Sequence, residues 1–175
     1  MKERMDALRV ALDNEMKAYT FYFENAERTK NPVGKAMFKQ IAAEEMEHYQ
    51  RLKQLQENWK RANKSPDAVT LKVKRSIVKS LIREAAKNTQ TRMKGDAEDL
   101  KAVRIAIEFE AKGLEHYTRL RDESTEQGEK EFFNLLASSE REHYMSLKDT
   151  EHYMIDPVTW CREKIGHFDR LQGDS

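Results

Sequence analysis

Two carboxylate and imidazole pairs are the residues with the clearest chemical potential in this sequence. Glu45 precedes His48 by three residues, and Glu140 precedes His143 by the same interval. Residues three apart share one face of an α-helix, so each pair presents a carboxylate and an imidazole to a single point. Both side chains are ligands of divalent metal ions. Each pair is therefore a candidate half of a metal site.

The two pairs belong to an internal repeat. Residues 11–53 align with residues 106–148 without a gap, at a constant offset of 95. The copies end in EEMEHYQRLK and SEREHYMSLK, and each has a further glutamate thirty residues before its pair, Glu15 or Glu110. Self-similarity at a fixed offset is a signature of repeated architecture. We interpret the repeat as two helical hairpins of common origin.

Long helices with short connections must position these residues. The 175 residues include only six glycines and three prolines, and apolar residues recur at helical spacing with no sustained strand-type alternation. The sequence therefore predicts an all-α, ferritin-like four-helix bundle made of two duplicated hairpins and a helical crossover. The predicted helices are 3–29, 34–62, 66–93, 97–124 and 129–154, with a short one after Pro157.

The bundle is expected over residues 1–155 and a C-terminal tail over 156–175. The bundle divides into hairpin one at 3–62, the crossover at 63–95 and hairpin two at 96–154. The apolar faces that should form the core contain Phe21, Met37, Phe38, Ile41, Leu52, Ile107, Phe133, Leu136 and Leu147.

Twofold pairing of the hairpins would bring four glutamates and two histidines to the middle of the bundle. This donor set occurs in the di-iron and di-manganese carboxylate sites of ferritin-like bundles. Two divalent cations bring four positive charges, which four ionised glutamates cancel, and bridging carboxylates hold the metals about 3.5–4 Å apart. The predicted ligands are Glu15, Glu45, His48, Glu110, Glu140 and His143.

The blocks AAEEMEHYQRL and ASSEREHYMSL are similar to those of the rubrerythrin group in the ferritin-like superfamily, and the resemblance covers about 11–55 and 106–155. It implies a non-haem di-iron oxidoreductase that reduces hydrogen peroxide, with dioxygen as a second oxidant, in the response to oxidative stress. It also implies two iron ions at the six predicted ligands, although manganese or a mixed pair of metals would suit the same donors.

Tyr22 and Tyr117 match tyrosines that the family places beside its glutamates, and they are our candidates for a catalytic role. Each follows its glutamate, Glu15 or Glu110, by seven residues. Two helical turns place both on one face, so each hydroxyl could hydrogen-bond a ligand carboxylate across the bundle. The alternative for both is core packing with a satisfied hydroxyl.

The sequence departs from the family pattern in two places. Rubrerythrins proper carry a rubredoxin domain with two CxxC pairs, which this sequence lacks, so we expect electrons from an external redox protein. The family also has a further glutamate one turn beyond the ligand of the third helix, where this sequence has Gly113. We expect a more symmetric site. Glu115 and His116 lie on the wrong face to replace that glutamate.

Two other functions remain open. A ferritin-type ferroxidase would share the first step, ferrous oxidation, but would store a mineral inside a shell. A metal-binding interaction module would use the basic segment Lys72–Lys94 as its contact surface, where eight Lys or Arg face only Glu84. That segment has no interleaved aromatic residue to stack a base, so nucleic acid is not expected as a partner.

Composition indicates a soluble protein of the cytoplasm. The net charge is +1 and the mean hydropathy is −0.91, without an apolar run long enough for a bilayer or a secretion signal. A single cysteine fits a reducing compartment. We expect a homodimer without a membrane partner. Cys161, His152 and His167 rank low as metal ligands or redox groups.

Overall fold

The computed structural model describes residues 2–62 and 93–163, and most of these residues lie in four long helices. Their bounds are Lys2–Arg28 for α1, Pro32–Ala62 for α2, Ala97–Glu123 for α3 and Gln127–Ile155 for α4, and residues 157–163 are also helical. The described residues contain no strand. The predicted all-α, ferritin-like bundle is confirmed.

The helices are arranged as two antiparallel hairpins. α1 packs most extensively on α2, and α3 on α4, while α1 also meets α3 and α2 meets α4. One apolar cluster joins the C-terminal halves of α1 and α4 to the N-terminal halves of α2 and α3. α1 and α4 therefore run in one direction along the bundle, and α2 and α3 run in the other. Most of the predicted crossover, residues 63–92, lies outside the described residues.

Polar caps tie the hairpins together at one end of the bundle. The Asn31 side chain accepts hydrogen bonds from the backbone N–H groups of Val33 and Gly34 at 3.0 and 3.1 Å, which begins α2 two residues earlier than predicted. Pro32 follows this cap at the first helical position, where its missing N–H costs nothing. The buried Asp99 carboxylate accepts from the Asn31 backbone at 3.1 Å. The first turn of α3 is thereby anchored to the connection between α1 and α2.

Two apolar clusters fill the bundle, one towards each end. One includes Tyr22, Phe38 and Met154, and the other includes Leu8, Leu52 and Phe133. In every helix the predicted metal ligands lie between the residues of the two clusters. Seven of the nine predicted core residues are buried, whereas Phe21 and Ile107 are partly exposed.

The segment 157–163 packs on the end of the bundle. Trp160 is buried and lies edge-on to Tyr153, with 5.5 Å between ring centroids. Cys161 is buried in the same cluster, while His152 is exposed and His167 lies outside the described residues. None of the helices in the described part of the chain has the apolar length that a bilayer crossing requires.

Candidate metal centre

The six predicted ligands come together in the middle of the bundle as two overlapping groups. Within each group the ligand atoms all lie within 4.8 Å of one another, and every residue is buried. The groups are Glu15, Glu45, His48 and Glu140, and Glu45, Glu110, Glu140 and His143. The two groups are equivalent under the repeat, because each residue of one group lies 95 positions from a residue of the other. Glu45 and Glu140 belong to both groups, as carboxylates that bridge two metals would.

Both imidazoles direct Nδ1 towards the carboxylates. His48 Nδ1 lies 3.2 Å from Glu15 Oε2, 3.1 Å from Glu45 Oε2 and 3.6 Å from Glu140 Oε1. His143 Nδ1 lies 3.0 Å from Glu45 Oε1 and 3.4 Å from Glu110 Oε2. The two rings stack with 5.8 Å between centroids. Each ring therefore offers the same nitrogen to its own group of carboxylates.

Several polar atoms of this cluster are buried and, although charged groups lie close to them, make no hydrogen bond of acceptable geometry with the described residues. They are Glu45 Oε1, Glu110 Oε2, Glu140 Oε1 and His143 Nδ1. Burying a polar or charged atom without a hydrogen bond or an opposite charge costs free energy. A metal cation bound by these atoms would remove that cost. Four carboxylates and two imidazoles also form the oxygen and nitrogen donor set that iron and manganese accept. The cluster fits a di-iron site.

Without metal, the cluster has strongly perturbed protonation. Burial and the neighbouring Glu45 raise the pKa of Glu15 to about 8, and burial with Glu45 and Glu110 raises the pKa of Glu140 well above its usual range. Burial alone would lower the pKa of His48, but Glu45 and Glu15 raise it to about 10. These shifts are what crowded buried carboxylates produce. A bound cation would relieve the same repulsion.

Two tyrosines join the hairpins through the ligand carboxylates. Tyr22 on α1 donates its hydroxyl to Glu110 Oε1 on α3, and Tyr117 on α3 donates to Glu15 Oε1 on α1. Both rings are buried. Burial is the main reason why the pKa of each hydroxyl is raised well above 10, and the nearby carboxylates raise it further. The hydrogen bonds expected from the two-turn spacing are present. Both tyrosines therefore hold their protons and orient a predicted metal ligand of the opposite hairpin.

Comparison with protein families agrees with this geometry. A family model described as Rubrerythrin matches residues 6–151, which contain all six clustered residues and both tyrosines. The chain belongs to the rubrerythrin family. Comparison with curated proteins and with solved structures gave no match.

For this member of the rubrerythrin family, we predict that the tyrosines tune the metal site without holding the metals. Tyr22→Phe and Tyr117→Phe should each keep two metals per chain, because no ligand is removed. Each should change the rate of metal oxidation by about 10-fold, the usual scale for losing a hydrogen bond to a ligand. Metal analysis and stopped-flow absorbance measure the two quantities.

Tyr153→Phe is the matched control, since Tyr153 is buried in the apolar cluster at one end of the bundle. Its oxidation rate should equal that of the unmodified protein. Unchanged oxidation rates in both Tyr22→Phe and Tyr117→Phe would show that the two tyrosines only pack in the core.

Glu44 is a residue of the site that the sequence analysis missed. Its Oε2 lies 2.7 Å from His143 Nε2, so it accepts a hydrogen bond from the ring nitrogen that faces away from the carboxylate cluster. Burial opposes ionisation of Glu44, but the bond to His143 lowers its pKa. Holding the proton on Nε2 leaves Nδ1 of the neutral ring with its lone pair for a metal. The repeat position of Glu44 is Ser139, so this carboxylate belongs to one half only.

We therefore predict an unequal effect of Glu44→Gln on the two metals. The metal at the His143 group should bind about 10–100-fold more weakly, because groups that hydrogen-bond to a metal-ligating histidine contribute affinity on that scale. The metal at the His48 group should be affected less. Competition with a chelator measures both affinities. Glu47→Gln removes a nearby carboxylate that pairs with Arg51 at 3.5 Å and should leave both unchanged. Equal weakening of both metals would contradict this role for Glu44.

Proposed function

We propose that this chain is a di-iron oxidoreductase that reduces hydrogen peroxide with electrons delivered by an external redox protein. The observation that carries the proposal is the pair of ligand groups that share Glu45 and Glu140. Reduction of hydrogen peroxide to two water molecules consumes two protons and two electrons. Two ferrous ions held in these groups would supply one electron each.

The chain's own residues would balance the charge of the metals and hold their ligands in a fixed orientation. Four buried glutamates balance the charge of two divalent ions, and Glu44 and the two tyrosines orient ligands from outside the cluster. Apolar residues above and below the cluster limit the access of bulk water. Orientation of ligands and exclusion of water are the protein's usual contribution at a metal site.

Anaerobic titration with ferrous iron, followed by peroxide or dioxygen in separate samples, tests this function. We expect binding to saturate at two irons per chain, and we expect peroxide to oxidise both irons faster than dioxygen does. Repeated turnover should require an added electron donor. Faster oxidation by dioxygen, with accumulation of hundreds of irons per assembly, would instead identify a ferritin-type ferroxidase. Absence of bound iron would exclude both functions.

A further inference from the structure

A cavity of about 210 Å³ lies between α1 and α3 and reaches the cluster of predicted metal ligands. Exposed residues line its outer part, Asn14, Lys17 and Lys112. Buried residues line its inner part, and these include the two shared carboxylates, Glu45 and Glu140. A water molecule needs only about 10–15 Å³ of such volume. The cavity therefore has room for a small molecule between solvent and the cluster.

Gly113 keeps this cavity continuous with the cluster. A Cβ atom at this position would lie 3.0 Å from Glu140 Oε2 and 3.4 Å from Glu140 Cδ and Cγ. A larger side chain would therefore fill the space beside a shared carboxylate. The repeat position of Gly113 is Ala18 on α1, which also lines the cavity. Small residues thus occur on both helices at the narrowest approach to the ligands.

His116 places a hydrogen-bond donor at the same cavity. Its Nδ1 lies 3.2 Å from Arg119 Nη2, and because arginine can only donate, Nδ1 accepts and the proton is on Nε2. His116 Nε2 is buried and has no hydrogen-bond partner among the described residues. The repeat position of His116 is Phe21, so the donor is present on one side only. His116 lines the cavity, so a rotation of its ring could turn this unpartnered donor towards an oxygen or nitrogen atom of a bound guest.

We propose that this cavity is the route by which a small oxidant reaches the metal cluster, and that His116 Nε2 donates a hydrogen bond to it there. The proposal rests on the proposed function, since it assumes that an oxidant reacts at the cluster. His116 acts on the guest rather than as a metal ligand, because it belongs to neither ligand group. Lys17 and Lys112 at the opening also favour small anions, which makes azide a suitable probe.

Azide binding to the protein loaded with two ferric ions tests the route without any turnover. The variant Gly113→Leu should raise the Kd for azide about 10-fold or more in protein that retains two metals, because the side chain fills the cavity beside Glu140. The variant His116→Leu should raise the Kd about three- to tenfold through the loss of one hydrogen bond, and His116→Gln should restore part of the affinity. Ala111→Leu places the same leucine side chain at an exposed position of α3 and should leave the Kd unchanged. Absorbance titration and metal analysis give both readouts.

Each outcome decides one part of the proposal. An unchanged azide Kd in Gly113→Leu with two bound metals would overturn the route. If Gly113→Leu fails to fold or to hold metal, Ala18→Leu narrows the same cavity from α1, and an unchanged Kd there would overturn it equally. A normal Kd in His116→Leu would remove His116 from the proposal. If the unmodified protein binds azide as expected and Gly113→Leu weakens that binding, but the protein does not react with peroxide, the proposed function fails while the cavity stands as an entry route for small ligands.

Discussion

Glu45→Ala and Glu140→Ala should each abolish binding of both metals, whereas Glu15→Ala and Glu110→Ala should each abolish binding of one. The contrast follows from membership of the two ligand groups, because the first two carboxylates belong to both groups and the other two belong to one each. Losing a shared ligand also removes a negative charge from both halves, so the remaining donors no longer balance two divalent ions. Peroxide reduction should disappear together with metal in Glu45→Ala and Glu140→Ala.

Metal analysis after dialysis, combined with anaerobic ferrous titration, measures this difference directly. Glu142→Ala is the matched control, since Glu142 lies two residues after Glu140 on the exposed side of α4. It should keep two metals and full activity. The assignment of the ligands would be wrong if Glu45→Ala and Glu140→Ala both retained two metals, and the shared role would be wrong if each retained one.

The cluster could be predicted from the sequence because its residues obey two simple regularities. The spacing within one helix places Glu45 beside His48, and the repeat requires the same pairing in the second half. Tyr22 and Tyr117 follow the same logic, since two helical turns return the side chain to the face of the glutamate. Neither regularity requires knowledge of how the hairpins pack.

Glu44 and His116 could not be predicted in this way, because their roles depend on packing between helices. Glu44 on α2 bonds His143 on α4, and the repeat gives no hint of this because position 139 is a serine. His116 is on the wrong face of α3 to be a ligand, yet it lines a cavity that exists only where α1 and α3 meet at Gly113. The one available signal was the mismatch between the copies, at Glu44 and Ser139 and at His116 and Phe21.

Removing the metals should lower the melting temperature at neutral pH by about 10–20 °C. Free metal at about 100 times its Kd contributes about 2.7 kcal/mol per independent site, and a protein of this size shifts by about 2–4 °C per kcal/mol. Bound metals require deprotonated ligands, so their contribution is present at neutral pH and is lost as acid protonates the carboxylates. The loaded protein should therefore be most stable near neutrality and should lose stability in acid.

The metal-free protein should show the opposite trend between mild acid and alkaline pH. Glu15 has a folded pKa of about 8 against a reference of 4.5, so across that interval the folded state binds more protons and stability falls as pH rises. His48, with a folded pKa of about 10 against 6.5, extends the same fall to higher pH. Burial would raise the pKa of Glu45, but the two histidines hold it well below 4.5. Glu45 therefore stabilises the fold above that range, and this stability is lost in strong acid as Glu45 becomes protonated. The expected maximum for the metal-free protein is therefore in mild acid.

Melting curves in mild acid, at neutrality and in mild alkali, with and without chelator, test both trends in one series. Glu140→Gln is the most informative variant, because it removes a carboxyl group whose pKa is strongly raised while preserving its shape. In the metal-free state it should melt higher than the unmodified protein at neutral pH and should depend less on pH. In the presence of metal it should melt lower, since it lacks a shared ligand. Equal melting temperatures with and without chelator, in a preparation shown to contain metal, would mean that the buried glutamates do not hold it.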